Sequence, residues 1–252
     1  MHLLLIDAMN LIRRVYAAAE GNELALEATQ ARALSIIDSN ARKRDATHWL
    51  MVWEHHDETW RHRLWPEYKA GRSPMPETLA KGLAQVRSYL ESNGVPGLDL
   101  HGWEADDLIA SAAARAAERG MAVTILSTDK GFCQLVSPKV QVLNHFDRLL
   151  WDEQQVQDRW QASPHQLPDY WAMCGDQTNH LPGVSGIGAK GAGQILALCG
   201  SLDVALGWPD KLPPKQAALL EAGAMDAIRT RVLATLRQDV NLGLRLSQMR
   251  ID

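Results

Sequence analysis

The chain is short of cysteine, phenylalanine, basic charge and long apolar runs, and most of these shortages exclude a class of protein. Its three cysteines, Cys133, Cys174 and Cys199, are widely spaced and form no CxxC pair. Neither a zinc site nor a disulfide framework is indicated, and reduced thiols in an intracellular compartment are the simplest reading. No uninterrupted apolar segment approaches the roughly 20 residues that span a bilayer. The N-terminus lacks a basic stretch, and Asp7 interrupts its apolar run too early for a signal peptide. A cytoplasmic protein with no membrane partner is the expectation. Net charge is −4 with a pI near 6.1, which argues against a protein coated in basic surface for non-specific nucleic-acid binding. Nucleic acid remains compatible, because a carboxylate cluster subtracts charge locally while Lys and Arg patches sit elsewhere. Nine Trp against two Phe is an unusual aromatic inventory that points to no function.

What is present is ordinary in bulk. A chain of 252 residues, 46% hydrophobic and 22% charged, has room for one large domain or two modest ones. It carries no fixed-period repeat and no low-complexity tract. The acidic residues are the informative feature. His2-Leu3-Leu4-Leu5-Ile6 runs into Asp7, and Val123-Thr124-Ile125-Leu126-Ser127-Thr128 runs into Asp129. Short apolar runs of this kind read as buried strands of a parallel sheet, and ligands sit outside the carboxyl ends of such strands. Asp7 and Asp129 would project into one crevice, with Glu104, Asp106 and Asp107 at a helix start facing it. Singly, Asp106 and Asp107 would equally suit a helix first turn, and Asp7 a turn. Together, that many carboxylates cannot all ionise at close range unless neutralised, and Mg²⁺ or Mn²⁺ is the natural partner.

Strand-like and helix-like segments alternate in the first part. Strands are expected at Leu3 to Ile6, His48 to Trp53 and Val123 to Thr128, with another possible at Val140 to Leu143. Helices are expected from Leu24 to about Ala41, from Pro76 through Leu90, and from Ala105 to Arg119, where Gly120 stops it. This rhythm implies a parallel sheet flanked by helices. After Ser163-Pro164 no convincing strand appears, and helical patterns dominate: Gln166 to Met173, Gly191 to Leu198, Lys215 to Gly223 and Met225 to Gln238. The expected division is residues 1–162 as an α/β domain and 163–252 as a helical one.

Gly186-Ile187-Gly188-Ala189-Lys190 is the most specific string. A Gly-Ile-Gly turn entering a helix exposes backbone N–H groups where the helix dipole favours an anion, and Lys190 adds a point charge. It has the look of a helix-hairpin-helix element that grips DNA phosphates without reading bases. Residues 61–72 form a second basic candidate. Arg61, Arg63, Lys69 and Arg72 interleave there with Trp65 and Tyr68, a mix suited to single-stranded or junction nucleic acid, although on these residues alone a solvated surface loop is the favoured reading. His55 and His56, beside Asp57 and Glu58, read as surface residues, since neighbours in a strand point to opposite faces.

Five ordered motifs now stand together: residues 4–14 (Leu-Leu-Ile-Asp-Ala-Met-Asn-Leu-Ile-Arg-Arg), 66–72 (Pro-Glu-Tyr-Lys-Ala-Gly-Arg), 104–108 (Glu-Ala-Asp-Asp-Leu), 127–131 (Ser-Thr-Asp-Lys-Gly) and 182–190 (Pro-Gly-Val-Ser-Gly-Ile-Gly-Ala-Lys). In this order, over essentially the whole chain, they resemble the 5′-nuclease/flap endonuclease family in its stand-alone bacterial form. The resemblance implies a PIN-like α/β nuclease domain followed by an all-α helix-three-turn-helix DNA-binding domain. It assigns Asp7, Glu104, Asp106, Asp107 and Asp129 to the main Mg²⁺ site, with Asp106, Asp107, Asp129, Lys69 and Arg72 as the catalytic set. Lys69 and Arg72 fall in the arch that handles the 5′ strand and the scissile phosphate. Gly186, Ile187, Gly188, Ala189, Lys190 and Gly191 would contact duplex DNA. Backbone carbonyls of Met173, Cys174, Pro182, Val184 and Ile187 match positions that hold a K⁺ ion against phosphate.

The departures concern the second metal. Many members carry Asp where this chain has Glu54, a second Asp at the position of Gly131, and two acids in the stretch that here reads Gly175-Asp176-Gln177-Thr178-Asn179-His180. Asp176 remains, so a second Mg²⁺ would be weakly held, largely by water and substrate phosphate. The expected activity is cleavage near the base of a 5′ flap in branched DNA by a monomer, in replication or repair. The alternatives are a branched-DNA-binding protein with little or no cleavage, and a PIN-type ribonuclease.

Overall fold

The computed structural model describes residues 1–55, 58–71 and 73–251. Its first part runs β1 (His2–Asp7), α1 (Ala8–Ala17), α2 (Ala25–Lys43), β2 (His48–Val52), α3 (Trp60–Leu64), α4 (Glu77–Ser92), β3 (Gly97–Leu98), α5 (Ala105–Glu118), β4 (Ala122–Leu126), β5 (Val140–Asn144), β6 (Leu149–Trp151) and α6 (Glu153–Trp160). The rest is helical: α7 (Leu167–Cys174), α8 (Ala189–Cys199), α9 (Leu202–Gly207), α10 (Pro214–Ala222) and α11 (Ala224–Ala234), joined by short 3₁₀ turns. No helix among the described residues is long and apolar enough to cross a membrane.

One six-stranded sheet has the order β3-β2-β1-β4-β5-β6. Leu4, Leu5 and Ile6 are fully buried because β1 is central and covered on both faces. It pairs in parallel with β2 and β4, with Leu5 opposite both Leu50 and Ile125. The chain builds outward from β1 through β2 to β3, then returns to build through β4 on the other side. The carboxyl ends of β1 and β4 therefore flank a topological switch point, where crevices open in such sheets. Asp7, Glu54 and Asp129 lie at or just beyond the ends of β1, β2 and β4, along this edge.

The sheet is mixed rather than wholly parallel. β6 runs antiparallel to β5, since so short a connection can only turn back as a hairpin. Neither β3 nor β6 was expected; their two and three residues are too short for a periodic signal. The last helix stops at Ala234 instead of Gln238, because Thr235 is extended. From there the tail returns to the sheet-bearing part. Arg237 N donates to Asp107 Oδ1 (2.9 Å), Val240 N to Ser111 Oγ (3.1 Å) and Ile251 N to Thr47 O (3.1 Å).

One apolar layer (Leu4, Ile6, Ile12, Ile37, Met51, Leu79) packs α1, α2 and α4 on one sheet face. The other begins with Leu3, Leu5 and Ile125 under α5 and continues through Leu167, Met173, Ile195 and Leu220 of the helical part. The core is continuous across residue 162, so the helical half packs directly against the sheet-bearing part.

Candidate active site

Asp7 ends β1 and caps α1. Its Oδ1 accepts from Asn10 N (3.2 Å) and its Oδ2 from Ser127 Oγ (2.7 Å). Ser127 Oγ in turn accepts from Asp129 N (3.0 Å), and Asp129 Oδ1 accepts from Gly131 N (2.7 Å). The Asn10 amide spans the switch point, with Oδ1 accepting from Thr128 N (3.0 Å) and Nδ2 donating to Thr128 Oγ1 (2.9 Å). These bonds hold two carboxylates at the ends of adjacent strands. Asp106, in the first turn of α5, and Glu54 line the same cleft, as does Asp176 beyond α7.

Arg13, Arg14, Lys69 and Lys130 share the lining with them, four cations against six acids once Asp147 is included. Burial, with Asp106 close by, pushes Asp7 up to about 7 despite the Ser127 and Asn10 hydrogen bonds. Burial also pushes Glu54 up to about 7, Lys69 opposing and Asp106 and Glu104 adding to the rise. Asp129 is raised by burial and by Asp106. Lys69 is the counter-charge. Its Nζ bridges Glu104 Oε2 (2.7 Å) and Asp106 Oδ2 (3.3 Å), and these acids outweigh burial and hold it well above the usual lysine range. The backbone of Lys69 is left-handed, with φ 54°, and its N–H donates to Asn179 O (3.1 Å). A lysine forced into that region marks a position the surrounding fold dictates. The donor set is all oxygen and under-neutralised, which fits a hard divalent cation. Among the described residues no three such side chains already close on a single point, so water and a substrate phosphate would complete any shell.

Comparison with known proteins shows the family. A family model described as "5'-3' exonuclease, N-terminal resolvase-like domain" matches residues 2–161, and "5'-3' exonuclease, C-terminal SAM fold" matches residues 162–252. The chain belongs to the 5′-3′ exonuclease family. Among its relatives, a protein of Serratia proteamaculans named flap endonuclease Xni is 42% identical over all of this chain and 98% of its own length. One of the same name from Pectobacterium carotovorum is 40% identical over all of this chain and 95% of its own. The T5 D15 protein, solved with metal ions, superposes with a TM-score of 0.78 at 22% identity, covering 93% of this chain and 89% of that one. The T5 D15 flap endonuclease has also been solved with DNA and metal ions, at the same TM-score and identity over the same shares of each chain.

Within this family member the expected site residues divide. Asp7, Asp106, Asp129, Asp176 and Lys69 share the cleft. Asp107 does not, which corrects its expected place among the metal ligands. It is fully buried, with Oδ2 and Oδ1 each 2.8 Å from Arg61 Nη1 and Nη2, and Trp60 Nε1 donates to it as well (3.1 Å). Consecutive helical side chains diverge by about 100°, so when Asp106 faces the cleft Asp107 cannot. Glu104 stands behind Lys69, fully buried, and accepts from Thr59 Oγ1 (3.0 Å) and Tyr68 OH (3.1 Å). Burial alone would raise it, but Lys69 and Arg61 overcome this and hold it down to about 2.

Arg61 is likewise not a surface cation. It is fully buried, and besides Asp107 it donates to Leu233 O (2.7 Å) and Thr235 O (3.0 Å), tying α3 to α5 and to the end of α11. Tyr68 is buried too, so Arg61 and Tyr68 form a buried strut in a segment whose Arg63, Leu64, Pro66, Glu67 and Ala70 are exposed. Arg72, His56 and Asp57 lie outside the described residues.

The residues matched to the K⁺ position come together where the 181–187 turn folds onto the end of α7. Met173 O accepts from Val184 N (2.8 Å), Val184 O from Ile187 N (3.0 Å) and Pro182 O from the Thr230 hydroxyl. Each carbonyl retains a second lone pair. Gly183 is required here, since a Cβ would lie 2.3 Å from Gly175 N. Gly186 (φ 85°) makes the turn into α8, while Gly188 caps it at φ −92° and a Cβ there would meet nothing. Gly188, Ala189 and Lys190 are exposed at this helix start, and Ile187 is buried with its N–H bonded to Val184 O.

Sequence reasoning left Glu54, Asn10 and Ser127 out of the site. Glu54 follows β2 as Asp7 ends β1, a strand-end signal that could have found it.

Proposed function

We propose that this protein is a structure-specific 5′ flap endonuclease that hydrolyses a phosphodiester near the base of the flap in branched DNA, with Mg²⁺. The observation that carries the reading is the cleft at the switch point, where six acids (Asp7, Glu54, Asp106, Asp129, Asp147 and Asp176) outnumber four cations (Arg13, Arg14, Lys69 and Lys130). The family membership and the flap endonuclease relatives support it. Asp7, Asp106 and Asp129 would hold the first ion, with Glu54 and, once Lys69 withdraws, Glu104 beside it. Mg²⁺ held there would supply an activated water and would stabilise charge on the attacked and leaving oxygens. Lys69 would then meet the scissile phosphate, and Arg72 would follow it in the arch. The turn from Gly186 to Gly191 would hold duplex phosphates on backbone N–H groups, and the carbonyls of Met173, Cys174, Pro182, Val184 and Ile187 would hold a K⁺ ion, which would add positive charge there.

A second Mg²⁺ would be weakly held. Asp176 Oδ2 is already bonded to Asn179 Nδ2 (2.6 Å), and its Oδ1 to Thr178 N (2.9 Å), while Gly131 offers no carboxylate. The reading extends to a cytoplasmic monomer acting in replication and repair. The deciding experiment measures cleavage of a 5′-flap duplex across a Mg²⁺ series against binding of the same DNA in EDTA. Mg²⁺-dependent incision near the branch supports it. Tight binding without incision at any Mg²⁺ concentration would favour a branched-DNA-binding protein, the reading suggested by the thinned second site.

A further inference from the structure

The chain has two phenylalanines. Phe132 is buried in the core, whereas Phe146 stands 40% exposed at the turn between β5 and β6. This turn is stiff. Asn144 Oδ1 accepts from Phe146 N (3.1 Å) and Asp147 N (3.2 Å), and Asn144 Nδ2 donates to Asp147 Oδ2 (2.8 Å). The Phe146 ring rests on His145, with centroids 3.9 Å apart and planes tilted by 40°. Among the described residues neither ring nitrogen of His145 has a hydrogen-bond partner, although both are buried. Burial, with Arg14 and Arg32 nearby, holds this imidazole down to about 4, so it is neutral at physiological pH. The guanidinium carbon of Arg14 lies 5.4 Å from the Phe146 centroid. Asn144, Asp147, Arg13 and Arg14 all line the cleft that contains Asp7, Asp106 and Asp129.

A neutral aromatic pair has thus been raised on a hydrogen-bonded turn at the rim of an otherwise polar cleft, with the Arg14 guanidinium over the Phe146 ring. Two buried ring nitrogens without partners cost stability in the free protein, and the packing of the core does not explain them. Aromatic faces with an adjacent arginine are what unpaired nucleobases stack on, whatever their sequence. We propose that Phe146, backed by His145 and flanked by Arg14, is a stacking platform for one unpaired or terminal nucleobase of the branched DNA. This rests on the flap endonuclease reading. The platform adds a contact to a base where the α8 turn contacts phosphates, so it would fix the position of the branch relative to the carboxylates.

The test compares Phe146→Ala, Phe146→Leu and Phe146→Trp in the full chain, by fluorescence anisotropy with a 5′-flap duplex in EDTA. Loss of one stacked base predicts about tenfold weaker binding for the Ala and Leu variants, near-parental binding for Trp, and an unchanged slope of affinity against salt in all three. The same duplex carrying 2-aminopurine at successive positions around the branch should show one position quenched by the parent and released by Phe146→Ala. Phe146 is exposed, so the variants should fold, and their melting temperatures check it. Binding by Phe146→Ala within twofold of the parent, with no position released, would overturn the platform alone. So would parental binding by Phe146→Leu, because apolar contact would then suffice without a ring. If the parent itself failed to bind flap DNA, the proposed function would fall with it.

Discussion

Asp7→Asn removes one charge from the metal-free cleft while nearly preserving shape, and its effect on stability should change with pH. A carboxyl whose pKa is raised by folding is protonated in both states at low pH and affects stability little. As pH rises from about 4 towards 7 the unfolded chain ionises first, so the folded state loses stability across that window. With Asp7 at about 7 against an unfolded value near 3.9, the loss at pH 8 is on the order of 4 kcal/mol. The substitution removes that penalty but leaves either Ser127 Oγ or Asn10 N without its acceptor, which costs about 1 kcal/mol. The variant should therefore be more stable than the parent at pH 8 in EDTA by roughly 3 kcal/mol, or about 6–12 °C in melting temperature for a chain of this size. That advantage should vanish near pH 4.5. Mg²⁺ should raise the melting temperature of the parent at pH 8 more than that of the variant. Melting curves between pH 4.5 and 8, with and without Mg²⁺, measure all of this. A variant that gained nothing over the parent as pH rose would refute a raised Asp7 and the charge argument built on it.

The other expectations concern separate parts of the site. Asp106→Ala should abolish Mg²⁺-dependent cleavage yet leave flap binding in EDTA nearly intact, because it removes a ligand and also repulsion toward phosphate; parental cleavage rates would be incompatible with its proposed role. Arg61→Met should cost about 3–5 kcal/mol in urea unfolding, since Asp107 is left buried without its cation, and a surface-like loss below about 0.5 kcal/mol would contradict the strut described above. Gly131→Asp with Asn179→Asp should lower the Mg²⁺ concentration needed for half-maximal cleavage. Gly131 is not in the left-handed region, although its new Cβ would press on Asp129 Oδ1 at 3.1 Å; a folded double variant with an unchanged requirement would sink the thinned-site idea. Potassium should tighten flap binding relative to sodium at equal ionic strength, and equal affinities would remove support for a K⁺ ion at the α7–α8 turn.

Much of this protein could be read along the chain. Apolar runs that stop at an acid are local features, and the strand-end position of Asp7 and Asp129 follows from β1 and β4 being covered on both faces. The Gly-Ile-Gly entry to α8 and the Gly120 stop after α5 are equally local. Three things depended on packing. The hairpin to β6 is too short to leave a pattern, and the tail after Thr235 is held by long-range bonds to Thr47, Asp107 and Ser111. The basic, aromatic composition of α3 reads as surface, yet Arg61 is buried because two acids and two carbonyls from distant segments converge on it. The pair Asp106 and Asp107 shows the limit most sharply. Helix geometry says that only one of two neighbours can face a given side, and composition cannot say which. The docking of α5 between the sheet and α3 decided it, turning Asp106 to the cleft and Asp107 to Arg61.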